Sequence, residues 1–364
     1  MIRVLVVDDS PSVRELLVYI LGSDPEIEIV GCAADGDEAL RLAQDKKPDV
    51  ITMDLHMPRV DGLEATRRIM QLCPTPIVIV SGSMDPREAD VSVRAIEAGA
   101  LVLVRRPFGP GNAAHNETSN ALIRTVKSMS EVKVVRRWPH QRTQPGRAGA
   151  SERAGRKPPA RQLVLIGAST GGPAVLAEIL AQLPADYSLP VVIVQHMASG
   201  FVSGFAEWLS AASGFAVGIA EDGAALAAGR AYIAPDGFQI AVTRDLRIVL
   251  SRSAAEHGMC PSVSHLFRSV HKDLCSSTIA VLLTGMGRDG ARELRMLREN
   301  GAITIVQDKA SSVVYGMPGE AVRQEAAMLI LRPEEIGNVL HDLGNGGLFG
   351  PTLASYLKER NGKQ

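Results

Sequence analysis

Short apolar runs alternate with amphipathic helical patterns along the first 128 residues. Runs of four residues that are apolar throughout are typical of parallel strands covered on both faces. Between the first two runs, Ser10 and Pro11 precede apolar positions at the spacing of one helix face, which predicts a helix with Ser10 as N-cap. The five predicted strands are Val4–Val7, Glu28–Gly31, Val50–Met53, Ile77–Val80 and Leu101–Val104. This alternation predicts a doubly wound parallel sheet.

A second alternation of the same kind begins at Leu163. Its predicted strands are Leu163–Ile166, Val191–Val194, Ile279–Leu283 and Ile303–Val306, with a hairpin joining Phe238–Val242 to Leu246–Leu250. Its predicted helices include one opening near Pro173, one around Phe205, Trp208 and Leu209, one over Ser262–Leu274 and one over Ala291–Glu299. The pattern predicts a second α/β domain built on a parallel sheet.

The stretch between these regions has a different composition. Residues 131–161 hold nine Lys or Arg against two Glu, and four prolines with almost no apolar periodicity. A solvated linker is the favoured interpretation, with a basic patch for an acidic partner as the alternative. We therefore predict domains at 1–128 and 162–345, a linker at 129–161 and a flexible tail at 346–364.

Composition limits the class of protein. With 364 residues, 46% of them hydrophobic, and a net charge of −1, the chain is globular and is not a polycation for coating nucleic acid. The longest apolar runs fall far short of the roughly 18 residues needed to span a bilayer, and the N-terminus lacks a signal-peptide pattern. Four cysteines without a CxxC pair favour a reduced, cytoplasmic protein.

Three carboxylates follow predicted strands of the first domain. Asp8 and Asp9 follow the first strand and Asp54 follows the third, while a hydroxyl, that of Ser81, follows the fourth. Carboxyl ends of parallel strands meet at one sheet edge, where ligands bind. Three carboxylates together there imply a hard cation such as Mg²⁺, beside which a carboxylate can act as a nucleophile toward a phosphoryl donor.

Residues 1–127 resemble a response-regulator receiver domain, which has a flavodoxin-like fold. The resemblance rests on DD at 8–9, DLHMPRVDG at 54–62 and RRP at 105–107. It implies that Asp54 is the phosphoacceptor. It also implies that Mg²⁺ is held by Asp8, Asp9 and Asp54, with the backbone carbonyl of His56.

The same resemblance assigns Ser81 and Arg106 as phosphate contacts, with two departures from the usual receiver pattern. Arg106 stands where receivers carry a lysine, and a planar guanidinium is not equivalent to an ammonium. Leu103 stands where an aromatic switch residue is usual, so both positions bear on how phosphorylation is coupled to output. The bond between Arg106 and Pro107 is often cis in the family.

A serine, a histidine and an aspartate follow three predicted strands of the second domain. Ser169 lies in GASTG at 167–171, His196 directly follows the second strand, and Asp289 lies in GMGRDG after the strand at 279–283. Side chains at neighbouring strand ends can form a nucleophile, a base and an orienting acid. Their order along the chain differs from the serine, acid, histidine order of the α/β-hydrolases.

Two further kinds of site are disfavoured by the sequence. VLIGASTGG lacks the GxGxxG spacing of a dinucleotide-binding turn, and the next strand ends in His196 rather than in an acidic residue. A zinc site is the other, from Cys260, His265, His271 and Cys275. Their spacing is irregular, and the apolar periodicity of that segment favours a buried helix, while His257 and His341 are expected at the surface.

Residues 163–340 resemble the catalytic domain of the CheB family, the chemotaxis protein-glutamate methylesterases and glutamine deamidases. The matching stretches are IGASTGGP (166–173), VIVQHM (192–197), YIAPDGFQI (232–240), PSVSHLFRSV (261–270), LTGMGRDG (283–290) and QDKASSVVYGMPGEA (307–321). The resemblance implies a Ser169 nucleophile, a His196 base and an Asp289 orienting acid. It places Thr170, Gly171, Gly172 and Met286 along the site or its oxyanion hole.

Together the two resemblances imply a cytoplasmic, phosphorylation-regulated hydrolase. Its substrates would be methylated glutamates and certain glutamines of methyl-accepting chemotaxis receptors, and its phosphodonor a chemotaxis histidine kinase. Ester hydrolysis itself needs no cofactor, and we expect the protein neither to bind nucleic acid nor to insert directly into a membrane. The unmodified receiver is expected to cover the cleft. The alternative is a receiver-controlled signalling adaptor with weak or no turnover; a DNA-binding regulator lacks a helix-turn-helix candidate.

Overall fold

A computed structural model describes residues 1–82, 94–132, 134, 162–256 and 258–344. The predicted tail at 346–364, His257 and nearly all of the predicted linker at 129–161 lie outside the described residues. The domain boundaries therefore stay predictions, although each α/β unit is described in its own right.

The N-terminal unit is a five-stranded sheet in the order β2-β1-β3-β4-β5, with every described pair parallel. Its strands are β1 Ile2–Val7, β2 Ile27–Ala33, β3 Val50–Met53, β4 Ile77–Ser81 and β5 Val102–Arg105. Its helices are α1 Pro11–Gly22, α2 Gly36–Lys46, α3 Gly62–Leu72 and α4 His115–Ser130, and residues 94–97 are also helical. The five predicted strands are thus confirmed within a few residues at their ends.

Helix starts in this unit depend on short polar side chains. Asp35 and Asp61 cap α2 and α3 by accepting hydrogen bonds from backbone amides three residues further on. Ser10 occupies the N-cap position of α1 as predicted, but its hydroxyl lies 3.0 Å from that of Ser12 and caps nothing. The N-cap position was therefore correct and its expected side-chain bond was wrong.

The C-terminal unit is a seven-stranded parallel sheet in the order β14-β13-β12-β6-β7-β9-β8, with a separate antiparallel hairpin β10-β11. Its strands are β6 Leu163–Ala168, β7 Val191–Gln195, β8 Ala216–Ile219, β9 Arg230–Ile233, β10 Gln239–Val242, β11 Ile248–Ser251, β12 Thr278–Leu282, β13 Ile303–Gln307 and β14 Leu329–Leu331. Its helices are α5 Gly172–Leu180, α6 Val202–Ser213, α7 Val263–Arg268, α8 Lys272–Cys275, α9 Ala291–Glu299, α10 Met317–Arg323 and α11 Pro333–Gly344. Apolar side chains on both faces of this sheet form two buried clusters.

The prediction of a single helix over Ser262–Leu274 is wrong. The chain forms two short helices, α7 and α8, because α7 ends at Arg268 and the hydroxyl of the next residue, Ser269, donates back to the carbonyl of Leu266. His271 then caps α8 through its ring nitrogen, 3.3 Å from the amide of Asp273. Both helices bury apolar residues in the same cluster, so periodicity alone could not reveal the break.

Two further structural points bear on the predictions. Among the described residues, no helix is both long enough and apolar enough to cross a membrane. The bond between Arg106 and Pro107 is not cis, and the described residues hold one cis peptide bond, Cys260–Pro261.

Candidate active site and phosphoacceptor site

The three predicted catalytic residues follow three adjacent strands of the second sheet. Ser169 directly follows β6 and His196 directly follows β7, and the last paired residues of these strands, Ala168 and Gln195, lie opposite each other. Asp289 lies in the loop after β12, the neighbour of β6 on its other side. The chain order reverses direction at this point of the sheet, which is where open α/β sheets bind ligands.

His196 and Asp289 form a hydrogen-bonded pair. His196 Nε2 lies 2.9 Å from Asp289 Oδ2, and both side chains are more than nine-tenths buried. An ionised carboxylate only accepts hydrogen bonds, so the proton lies on Nε2 and leaves Nδ1 free to take another. This is the arrangement needed in a general base held by an acid.

Asp289 is buried but remains ionised because of its surroundings. Its Oδ2 also accepts from the amide of Val263 at 2.7 Å, and its Oδ1 accepts from the hydroxyl of Ser262 at 3.0 Å and the amide of Ser264 at 2.9 Å. Burial alone would raise the pKa of this carboxyl, but His196 and the groups of Ser264 outweigh it and hold the pKa well below its usual range.

The nucleophile candidate is held by its backbone. The amide of Ser169 donates to the carbonyl of Thr284 at 3.0 Å, and Gly285 packs so closely that a Cβ there would lie 2.6 Å from Ser169 Cβ. Among the described residues, no hydrogen bond reaches the hydroxyl of Ser169. The hydroxyl is thus unengaged in this state, and the loop beneath it is fixed.

Backbone amides around Ser169 differ in their availability for an oxyanion. The amide of Gly172 donates to the carbonyl of Ser169 at 2.8 Å and is already used. Within the described part of the chain, the amides of Thr170, Gly171 and Met286 have no acceptor. These three are therefore the amides available to stabilise negative charge. Met286 is partly exposed, and its sulfur lies 3.3 Å from the hydroxyl of Ser128 in the N-terminal unit.

Sequence reasoning missed Gln195, which ties the two strand ends together. Its side-chain nitrogen donates to the carbonyls of Ser169 at 2.9 Å and His196 at 2.8 Å, and its oxygen is buried without a partner. Gly172 makes room for this amide, because a Cβ there would lie 2.2 Å from the Gln195 oxygen. The Gln–His dipeptide in VIVQHM was the available signal, but only the fold shows what Gln195 contacts.

The predicted acidic residues of the first domain also come together. Asp8, Asp9 and Asp54, named here the acid cluster, place ligand oxygens within 4.8 Å of one another. Burial, reinforced by the Asp8 carboxylate, raises the pKa of Asp54 to about 6, and burial also raises the pKa of Asp8. Three crowded carboxylates with these shifts fit a hard divalent cation, as the chemistry of oxygen ligands requires.

Two arginines approach the acid cluster. Arg106 Nη2 lies 3.4 Å from Asp8 Oδ2 and 3.5 Å from Asp54 Oδ1. Arg14, which sequence reasoning did not identify, donates to the carbonyls of Asp8 at 2.6 Å and Asp9 at 2.9 Å and so holds the acidic turn. Nearby, the buried hydroxyl residue Ser81 ends β4, next to β3, which precedes Asp54.

The two units pack against each other beside the candidate active site. Phe201, five residues after His196, is buried in the apolar cluster that contains Met53, Leu55 and Leu103 of the first unit. Trp208 Nε1 donates to Glu97 across the same interface at 2.7 Å. A cavity of about 120 Å³ between the units is lined on one side by Gly171 and residues 310–313. The receiver therefore contacts segments on both sides of the candidate nucleophile and base.

The disfavoured zinc site gains no support among the described residues. The acid cluster is the metal-ligand grouping found there, and His265 pairs with Glu256 at 3.0 Å instead. The side chain of His341 is about two-fifths exposed, in keeping with a surface position.

Comparison with known proteins assigns each of the two units to a family. Residues 164–340 match the CheB methylesterase family model, and residues 4–115 match the response regulator receiver domain model. The chain is 51% identical to a protein-glutamate methylesterase/protein-glutamine glutaminase of Nitrosospira multiformis, over 94% of this chain and 97% of that protein. It is 52% identical to a protein of the same name, numbered 4, from Geobacter metallireducens, over 94% of this chain and 99% of that one.

A solved structure, the CheB methylesterase catalytic domain of Thermotoga maritima, is 34% identical over 50% of this chain and 98% of its own, with a TM-score of 0.48. The family assignment rests on the sequence matches, which extend over nearly the whole chain. The chain therefore belongs to the CheB family of methylesterases, with a response-regulator receiver domain.

Proposed function

We propose that this protein removes methyl esters from glutamate side chains of methyl-accepting chemotaxis receptors and converts certain receptor glutamines to glutamate. The observation that carries this proposal is the buried His196–Asp289 pair beside Ser169 at adjacent strand ends. The names of the relatives specify the ester and the amide as substrates. A receptor substrate also places the enzyme in the cytoplasm.

In the first half of the reaction, the hydroxyl oxygen of Ser169 attacks the γ-carbonyl carbon of the glutamyl ester. Nδ1 of His196 takes the hydroxyl proton, because Asp289 holds the other ring nitrogen and stabilises the imidazolium that forms. The tetrahedral oxyanion lies near the amides of Thr170, Gly171 and Met286. The proton then passes to the departing methoxide, and methanol leaves an acyl-enzyme.

In the second half, water attacks the acyl carbon while His196 accepts a water proton. The proton returns to the Ser169 oxygen as the acyl bond breaks, and a glutamate carboxylate is released. A glutamine substrate follows the same sequence with ammonia as the first leaving group. Both reactions replace an uncharged side chain of the receptor with a negative one.

The receiver controls access to this site. Asp54 is the phosphoacceptor, and a chemotaxis histidine kinase supplies the phosphoryl group. Mg²⁺ held by Asp8, Asp9, Asp54 and the His56 carbonyl would offset the charge of the transferring phosphoryl group. Ser81 and Arg106 then contact the phosphoryl oxygens. In the unmodified state the contacts of Phe201 and of the Glu97–Trp208 pair hold the receiver over the site.

A fluorophosphonate probe followed by peptide mapping tests the nucleophile. We expect a single modified peptide containing Ser169, loss of labelling in Ser169→Ala, and unchanged labelling in a control, Ser276→Ala, which precedes β12 and so lies at the opposite edge of the sheet from Asp289. Labelling at another serine, or none in the wild-type protein, would overturn the assignment of Ser169.

A further inference from the structure

The guanidinium of Arg106 lies against the acid cluster without forming a tight ion pair with either carboxylate. Its guanidinium bridges Asp8 and Asp54 at 3.4 and 3.5 Å, longer than the roughly 2.7–2.9 Å of strong charge-assisted hydrogen bonds. Its Nε is buried and has no hydrogen-bond partner. The group is therefore held near both carboxylates mainly by charge, and it is free to shift.

Gly82 provides the space that this guanidinium fills. A Cβ at Gly82 would lie 2.8 Å from Arg106 Nη1, 2.9 Å from Cζ and 3.2 Å from Nε. All three atoms belong to the guanidinium end of a flexible side chain, so a methyl group there would push the guanidinium aside rather than disrupt the fold. The position of Arg106 against the acids thus depends on the absence of a side chain at residue 82.

We propose that Arg106 is a built-in counter-cation of the acid cluster that competes with the divalent cation, and that Gly82 permits this placement. The inference rests on the proposed function, in which the acid cluster holds Mg²⁺. When the cation binds, the guanidinium must move away from Asp8 and Asp54, and the same movement makes it available to phosphoryl oxygens. Arg106 is in this sense a positioning residue that sets the affinity for the cation.

The competition has a measurable consequence. Removing the positive charge of Arg106 leaves the carboxylates with less compensating charge, so a divalent cation binds more tightly. Displacing the guanidinium with a methyl group at position 82 acts in the same direction but to a smaller extent, because the charge stays nearby. If the two residues act through one contact, their effects are not additive.

The test measures binding of Mn²⁺, an oxygen-seeking substitute for Mg²⁺, to the full-length protein by the loss of its free electron paramagnetic resonance signal. Arg106→Gln, Gly82→Ala and the double variant are compared with wild type, and Mg²⁺ is added as the competitor. Arg105→Gln is the matched control: it removes the same charge one residue away, from an arginine that lies over the Phe108 ring at 4.8 Å. Circular dichroism checks that each variant is folded.

We expect Arg106→Gln to lower the dissociation constant about tenfold and Gly82→Ala about threefold. The double variant should match Arg106→Gln alone, and Arg105→Gln should stay within about twofold of wild type. Unchanged affinity in Arg106→Gln, or an equal Gly82→Ala effect in both backgrounds, would overturn this inference alone. Absence of Mn²⁺ binding in wild type and in every variant would overturn this inference together with the proposed cation site. That result would leave the proposed hydrolysis at Ser169 standing.

Discussion

Replacing Asp289 by asparagine removes the charge that holds the candidate base and leaves the shape of the side chain unchanged. The carboxylate accepts four hydrogen bonds, two on each oxygen, from His196, Ser262, Val263 and Ser264. An asparagine has one accepting oxygen, so its NH₂ group must face two donors in either orientation. If the oxygen keeps the amide of Ser264, the NH₂ group faces His196 and the amide of Val263.

The magnitude follows from these contacts. Hydrogen bonds to charged groups contribute roughly 1.5–3 kcal/mol each, and a buried donor left unpaired costs about 1–3 kcal/mol. We therefore expect Asp289→Asn to lower the free energy of unfolding by about 2–4 kcal/mol at neutral pH. The NH₂ group also favours the His196 tautomer with its proton on Nδ1, which cannot act as the base, so we expect fluorophosphonate labelling to slow by about 10³-fold or more.

The stability difference should depend on pH in a defined direction. Because the pKa of Asp289 is lower in the folded protein, its contribution is complete above the unfolded-state value of ~3.9 and is lost as the pH falls below it. The difference in the free energy of unfolding between wild type and Asp289→Asn, measured by urea denaturation, should therefore narrow as the pH falls from about 5 to about 3.

Asp236→Asn is the matched control for this prediction. Asp236 is half-buried and accepts from the amide of Gly200 at 2.6 Å, but partial burial raises its pKa. An acid whose pKa is raised in the folded protein stabilises the fold more when it is protonated. The difference in the free energy of unfolding between wild type and Asp236→Asn should therefore widen, not narrow, as the pH falls. The reasoning would be refuted if the difference in the free energy of unfolding between wild type and Asp289→Asn stayed constant or widened in acid. Labelling of Asp289→Asn at the wild-type rate would also refute it.

Three further predictions concern contacts around the site. Gln195→Ala removes both donated bonds to the two strand ends, and we expect labelling of Ser169 to slow by about tenfold to a hundredfold in a folded protein, measured by gel fluorescence. Gly285→Ala places a methyl group against Ser169 Cβ, so labelling should be lost and the melting temperature should fall. Glu97→Gln weakens the bond from Trp208, and because such a bond contributes roughly 1.5–3 kcal/mol, hydrolysis without a phosphodonor should rise about tenfold.

Each of these has a control in the same chain. Gln324→Ala removes a half-buried glutamine that donates to Glu320 within α10 and its C-cap, and it should leave labelling unchanged. Gly22→Ala meets no atom within 4 Å and should leave the melting temperature near that of wild type. Glu15→Gln removes a charge from an exposed position on α1 of the N-terminal unit and should leave hydrolysis without a phosphodonor unchanged. A control variant that showed the same effect as its test variant would contradict the role that we assign to that contact.

The two parallel sheets and the strand-end positions of the candidate residues could be predicted from the sequence. Strands apolar on both faces, such as Ile77–Ser81, leave a strong local signal, and a polar residue at the end of such a strand points to the sheet edge. The contacts of Gln195, Gly82 and Gly285 could not be predicted, because each depends on which distant residue lies opposite. The break between α7 and α8 was also hidden, since both helices face one apolar cluster.

The most direct test of the central claim is methanol release from a carboxyl-methylated cytoplasmic fragment of a chemotaxis receptor. The assay compares wild type, Ser169→Ala and Asp54→Asn, each with and without Mg²⁺ and acetyl phosphate. We predict methanol release that requires Ser169 and that increases with the phosphodonor in the wild-type protein. In Asp54→Asn, release should not change when the phosphodonor is added. Release that persists in Ser169→Ala would contradict the assignment of the nucleophile. No release by the wild-type protein under any condition would contradict the account and favour a signalling adaptor.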